Sequence, residues 1–306
     1  MQRNIVLSKS FTASSIITFL RQASGIFNPQ SRNITDFIFY VDRVEKIDIL
    51  GMLLIYKFIE YTSQKGCFIG PQLKYNEMIA NKLKQSGFWG LIDSFMMNKD
   101  VDYKQLDYYQ DGKSFFIAPI VLFRSGNSIN ENNFLKKVRI FYQGMHEVNS
   151  MIMSVVGEII LNFKEHADDD TQSIITLGGN RSKIEVACAD TGIGIISSLK
   201  SLYNQAKNNL YILNAAMKRG VTSKSATNHM GLGLWALNEI TKRTKGKFHV
   251  YTEGYYYMND SGKITANACG FWKGTIIYLN LPLENPCSWD NFIENQDIYK
   301  INIHFA

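Results

Sequence analysis

Glu158, Asn162 and His166 stand at intervals of four residues in the segment Ser150–Ala167. On a helix with 3.6 residues per turn this spacing draws a narrow polar stripe. Val148, Ile152, Val155, Val156, Ile159, Ile160 and Phe163 form a broad apolar face beside it, so a carboxylate and a carboxamide border buried surface and can point into a cleft. Downstream, Asp190-Thr191-Gly192-Ile193-Gly194 follows an apolar run. Two glycines so spaced let the backbone turn sharply and approach a planar ligand, from which Asp190 can accept a hydrogen bond. Gly231-Leu232-Gly233-Leu234 then opens an apolar helix, and the exposed N–H groups of a glycine-rich helix start form a phosphate cradle, to which Lys224 can add a cation. Each feature also has a plainer reading: a solvated glutamate, a turn at a strand end, a solvated loop lysine.

The elements that must position these groups follow from periodicity. A long helical stretch from Phe134 to Ala167, with a break at Gly144, carries the stripe. Ser173–Leu177 and Lys183–Ala189 read as strands joined by a Gly178–Arg181 hairpin, and the second leads into Asp190. Helices are expected over Ser197–Arg219 and Leu232–Arg243, and strands over Phe248–Thr252 and Thr275–Leu281. In the first half, helices over Phe11–Gly25, Ile47–Thr62 and Asn76–Ser86 alternate with strands over Asp36–Val41, Lys65–Ile69 and Phe115–Phe123. The asparagine-rich, polar stretch Arg124–Asn133 marks the boundary. The division is 1–125, a 126–147 linker and helix, 148–285, and a 286–306 tail.

A chain of 306 residues suits two domains and can bury a real core. Hydrophobic residues at 45% and charged residues at 20% exclude a disordered or fibrous chain. The charge of +6 is spread without a basic run, so nucleic acid is not the expected partner. The longest mostly apolar stretch, Ile47–Ile55, contains Asp48 and falls far short of a membrane span, and the N-terminus lacks a cleavable apolar core. A cytoplasmic protein is expected. Cys67, Cys188, Cys269 and Cys287 form no CxxC pair and signal no metal site.

Taken together, a helix with Glu-x3-Asn-x3-His, then DTGIG after a strand, GLGL at a helix start and Gly274-Thr275 leading a strand resembles the GHKL ATPase superfamily over Val148–Leu283. The resemblance implies an α/β sandwich with helices on one face of a mixed sheet, and ATP with Mg2+ beneath a mobile lid over Ile196–Met230. It implies Glu158 as general base, Asn162 as magnesium ligand, Asp190 as acceptor for the adenine amino group and Gly192 and Gly194 beneath the base. Gly231 and Gly233 match the phosphate loop and Thr275 the adenine-side threonine; His166 and Lys224 complete the expected binding set. His229 replaces the first glycine of the second glycine box found in many members, and His146 lies too close to Glu158 to be a separate phosphoacceptor.

The segment from Ile34 to Ile92 looks like a STAS domain, carried by the strand Asp36–Val41, by Val44-Glu45-Lys46-Ile47-Asp48-Ile49-Leu50-Gly51-Met52-Leu53 entering a helix, and by Leu83-Lys84-Gln85-Ser86-Gly87-Phe88. Leu50 stands where that family carries its phosphorylatable serine, and without a hydroxyl it cannot be switched that way. The resemblances imply a regulatory protein acting through a protein partner, with a homodimer as a further arrangement. Three classes stay open: a protein-serine kinase or anti-sigma-like switch, an ATPase that dimerises as in the gyrase and chaperone branch, and a nucleotide-binding module without turnover.

Overall fold

The computed structural model describes residues 2–27, 36–64, 73–96, 108–110, 112–122, 131–166, 173–206, 208–223 and 231–288. The first half places β1 (Gln2–Val6), β2 (Ser10–Phe11), α1 (Ile16–Phe27), β3 (Asp36–Tyr40), β4 (Lys46–Ile47), α2 (Ile49–Gln64), β5 (Leu73–Lys74), α3 (Glu77–Gln85) and α4 (Phe88–Met96) in order. β1, β3 and β5 pair in parallel, as do β2 and β4. Asn76 caps α3 by accepting the Ile79 N–H at 2.8 Å, as its position before an apolar-periodic run requires. Asp48 starts α2 by accepting the Gly51 N–H at 2.9 Å and the Ala13 N–H at 2.8 Å. Leu50 is fully buried there.

The chain continues through β6 (Tyr108–Gln110), β7 (Ser114–Leu122), α5 (Glu131–Phe141), α6 (His146–His166), β8 (Ser173–Asn180) and β9 (Lys183–Ala189). Then come α7 (Ile195–Leu199), α8 (Asn209–Ala216), α9 (Gly233–Thr244), β10 (Lys247–Thr252), β11 (Tyr255–Asp260), β12 (Lys263–Ala268) and β13 (Thr275–Pro282). Eight strands form one sheet in the order β12-β11-β10-β13-β9-β8-β7-β6. The α/β class is as expected.

The expected mixed sheet is corrected: every neighbouring pair in this sheet is antiparallel. The crossover through α7, α8 and α9 does return β10 in the direction of β9, which would make a parallel pair if the two were adjacent. β13 inserts between them, antiparallel to both.

The sheet is also covered on both faces instead of one. On the inner face α5, α6, α8 and α9 pack with Ile175, Leu177, Val186, Cys188, Phe248, Val250, Ile277 and Leu279 in one core. On the outer face the first half packs through α1 and α2 against Ile174, Ala187, Ala189, Tyr251, Ile276 and Tyr278. α2 is buried along almost its whole length because Phe58 meets Phe37 and Phe39 of β3 on one side while Ile49 reaches Gly178 of β8 on the other.

Some boundaries differ from the sequence reading. β6 and β7 join the large sheet although they precede residue 125, and α5 contributes Leu135, Val138 and Phe141 to the inner core. The helix expected over Ser197–Arg219 divides into α7 and α8. Ile196, Leu199, Ile212, Leu213, Ala216 and Met217 of this segment belong to the inner core, so the first part of the expected lid is packed, and residues 224–230 of it lie outside the described residues. Among the described residues no helix is long and apolar enough to cross a membrane.

Candidate functional site

Side-chain alternation along β9 sends Val186 and Cys188 to the inner core and Ala187 and Ala189 to the outer one, so Asp190 follows on the inner face, the face carried by α6 and α9. Its backbone is fixed by an N–H bond to the Thr275 carbonyl at 3.0 Å. Its Oδ1 accepts the Gly192 N–H at 2.6 Å. Gly274, at φ +87°, lies so close that a Cβ there would collide with the Asp190 carboxylate and stand 2.7 Å from its carbonyl oxygen. Asp190, Gly192 and Thr275 are therefore brought together, with Gly274 making room for them.

Asp190 is 4% exposed, and burial pushes its carboxyl up from 3.8 to about 7, against the opposing Gly192 N–H and the charge of Lys57. A carboxylate oxygen can accept more than one hydrogen bond, so this group is suited to a ligand that brings a donor. Thr275 is buried beside it.

A second cluster forms where α6 passes the start of α9. A Cβ on Gly233 would lie 2.6 Å from Glu158 Oε2 and 3.0 Å from Asn162 Nδ2, so the start of α9 comes directly against the polar ends of both side chains. Asn162 Nδ2 is buried and has no hydrogen-bond partner among the described residues. A buried donor without an acceptor is costly, which points to an acceptor supplied from outside the described chain. The two ends of a carboxamide exchange by a flip, so the same side chain can present its oxygen to a hard cation. This donor set fits a hydrated magnesium that takes its remaining ligands from water and phosphate. Among the described residues no three His, Cys, Asp or Glu side chains converge on a metal position.

The other predicted residues are placed more loosely. Gly231 accepts the Gly220 N–H through its carbonyl at 3.0 Å, closing the base of the loop that precedes α9. Arg219, next to this closure, lies over the Trp235 ring of α9 at 5.3 Å. Gly194 precedes α7 and packs against Glu253. His166 ends α6, with its side chain outside the described set, and Lys224 and His229 lie outside the described residues.

Sequence reasoning missed Thr252, Glu253 and Trp272. Thr252 Oγ1 accepts the Ile195 N–H at 3.2 Å, Glu253 accepts the Ser197 N–H at 2.9 Å, and the Trp272 indole N–H donates to the Asp190 carbonyl at 2.8 Å. Glu253 and Gly254 form a two-residue turn with both residues at positive φ, and of the two only the glycine hints at a turn in the sequence. No protein-family model matches this sequence, nor does any curated protein.

Proposed function

We propose that the chain is a magnesium-dependent ATP-binding regulatory protein of the GHKL type, with a STAS-like N-terminal half that recognises a protein partner in the cytoplasm. The observation that carries this reading is the seating of Gly233 on Glu158 and Asn162, with the Asn162 Nδ2 donor unpaired among the described residues. The buried Asp190 carboxylate on the same face of the sheet supports it.

Bound ATP with magnesium supplies a transferable phosphoryl group. Asp190 accepts a hydrogen bond from the adenine amino group, while Gly192 and Gly274 leave space beside it. The backbone N–H groups at the start of α9 face phosphate, where the helix terminus favours negative charge. Asn162 would hold the cation through its carboxamide oxygen. Glu158 takes the proton of a water or of a partner hydroxyl, which makes the protein a signalling ATPase or a protein-serine kinase.

Thermal melting with ATP and magnesium tests the binding. A ligand specific for the folded state raises the midpoint by mass action, and Asp190→Ala removes most of that rise. No rise at millimolar nucleotide with folded protein rejects the reading. Labelled ATP, followed into free phosphate and into phosphorylated protein, distinguishes hydrolysis, transfer and binding without turnover. Glu158→Ala is expected to cut turnover by about 10²–10⁴-fold and leave binding in place.

A further inference from the structure

The connection from β12 to β13, Cys269–Gly274, touches both halves of the molecule within a few residues. Gly270 lies directly on the α1 backbone at Leu20 and Arg21, closer than any Cβ would permit. The Phe271 N–H donates to Ser24 Oγ at 3.1 Å, and the Trp272 ring lies 4.6 Å from the ring of Phe27 at the end of α1. The opposite edge of Trp272 faces the candidate site, where its indole N–H holds the Asp190 carbonyl at 2.8 Å.

The same loop reaches the start of α7. The Trp272 carbonyl accepts the Glu253 N–H at 3.1 Å, and the Glu253 carboxylate in turn accepts the N–H and hydroxyl of Ser197. Thr252 accepts the Ile195 N–H and donates to the Gly274 carbonyl at 2.9 Å. Packing alone would be served by any large apolar ring at Trp272, which is 1% exposed. The indole nitrogen adds a directed bond to the main chain of Asp190.

We propose that Trp272 is a positioning residue through which the N-terminal half sets the affinity of the nucleotide site. Phe27 and Ser24 fix this loop from the side of α1, and Trp272 fixes Asp190 from the other side. The proposal rests on the nucleotide reading above. A displacement of α1 moves Trp272, and with it the Asp190–Gly192 turn and the first turn of α7, through contiguous packed and hydrogen-bonded groups.

The test uses three variants of the full chain. Trp272→Phe keeps a ring on Phe27 and loses the N–H. Phe27→Ala removes the ring beneath Trp272 without touching the site. Leu83→Ala, also fully buried in the N-terminal core but on α3, serves as a control for lost stability. Calorimetry gives the affinity for ATP with magnesium, and hydrogen exchange without nucleotide follows the Gly192 and Ile195 amides.

Trp272→Phe and Phe27→Ala are each expected to weaken ATP binding about tenfold, the scale of a buried carbonyl left without its donor. Both are expected to speed exchange at Gly192 and Ile195, and the double variant to lose far less than the product of the two. Leu83→Ala, compared at temperatures giving the same distance from its melting midpoint, does neither. If all three variants leave affinity and local exchange alike, Trp272 only fills space and the proposal is overturned. Failure of the unaltered protein to bind ATP sinks the nucleotide reading instead. In that case faster exchange at Gly192 and Ile195 in Phe27→Ala still supports positioning of the Asp190 turn by α1, and unchanged exchange overturns it.

Discussion

The two faces of the eight-stranded sheet are both buried, yet they are built from different chemistry. The inner face is almost wholly apolar, with Ile175, Leu177, Val186, Phe248, Val250, Ile277 and Leu279 under α6 and α9. The outer face mixes small apolar residues with hydrogen-bonded polar ones. Tyr278 donates to Glu185 at 2.7 Å, His249 meets Asp260 at 2.7 Å, and the Tyr251 hydroxyl donates to the Ala13 carbonyl at 3.1 Å. The inner face has the composition of a domain core; the outer has that of an interface within one chain, which is characteristically more polar. The candidate site belongs to the inner face, and the N-terminal half is docked on the outer one.

The sharpest way to break this comparison is a large truncation on the inner face. Phe248→Ala is expected to cost about 3–5 kcal/mol in denaturant unfolding, because it removes a fully buried ring and leaves a cavity. On the outer face Tyr278→Phe removes only a hydroxyl bonded to Glu185, and a loss of about 0.5–1.5 kcal/mol is expected. Equal costs would erase the distinction between core and interface.

The pH dependence separates the faces by sign. Asp190 titrates at about 7 in the folded chain against 3.8 ordinarily, so the folded state takes up its proton first as pH falls. Its contribution to stability is fully present below about pH 4 and is lost as pH rises through 7. Asp190→Asn is therefore expected to melt higher than the unaltered protein at pH 8 and to flatten this slope. His249 behaves oppositely. Burial lowers it from 6.5 despite the Asp260 hydrogen bond, so its contribution is present above pH 6.5 and is lost as pH falls below that value. Melting curves of His249→Gln are expected to lose that acid-side decline. The smallest effect belongs to the solvated pair Lys9–Glu45, where Lys9→Ala is expected to leave the melting midpoint unchanged.

Local features of this architecture were legible in the sequence. The α3 bounds follow from Asn76 and the residues flanking it, the break between α5 and α6 falls at Gly144, and the apolar run before Asp190 is β9. The glycines expected to form a hairpin loop at Gly178 and Gly179 are instead paired strand residues of β8, because the turn sits two residues later, at Arg181 and Ser182. The hairpin of β11 and β12 has no periodic signal, because Tyr255–Asp260 and Lys263–Ala268 lack a clear apolar alternation; its turn is Ser261-Gly262, both at positive φ.

Strand order was the hidden part. Nothing local tells β13 to insert between β9 and β10, since that pairing joins residues far apart in sequence. The docking of the first half has a trace in the sequence: β8, β9 and β13 carry apolar residues on both faces, a pattern that demands a cover on each side. At the candidate site, residue types single out Glu158, Asn162 and Asp190, whereas Trp272 bonds the Asp190 carbonyl through one indole nitrogen whose target no spacing rule supplies.

The burial of α2 between two sheets has a consequence for biosynthesis. Its inward side can close on Phe37 and Phe39 as soon as β3 and α2 have left the ribosome, but the side that meets β8 and β9 waits for partners more than a hundred residues downstream. The sheet those strands belong to is complete only when β13 emerges, roughly 200 residues after the helix ends. At about 5–20 residues per second, the nascent chain carries an uncovered apolar helix for on the order of 10–40 s. During that interval the growing polypeptide is a client for holding chaperones, and slower translation between α4 and β13 lengthens its exposure to aggregation.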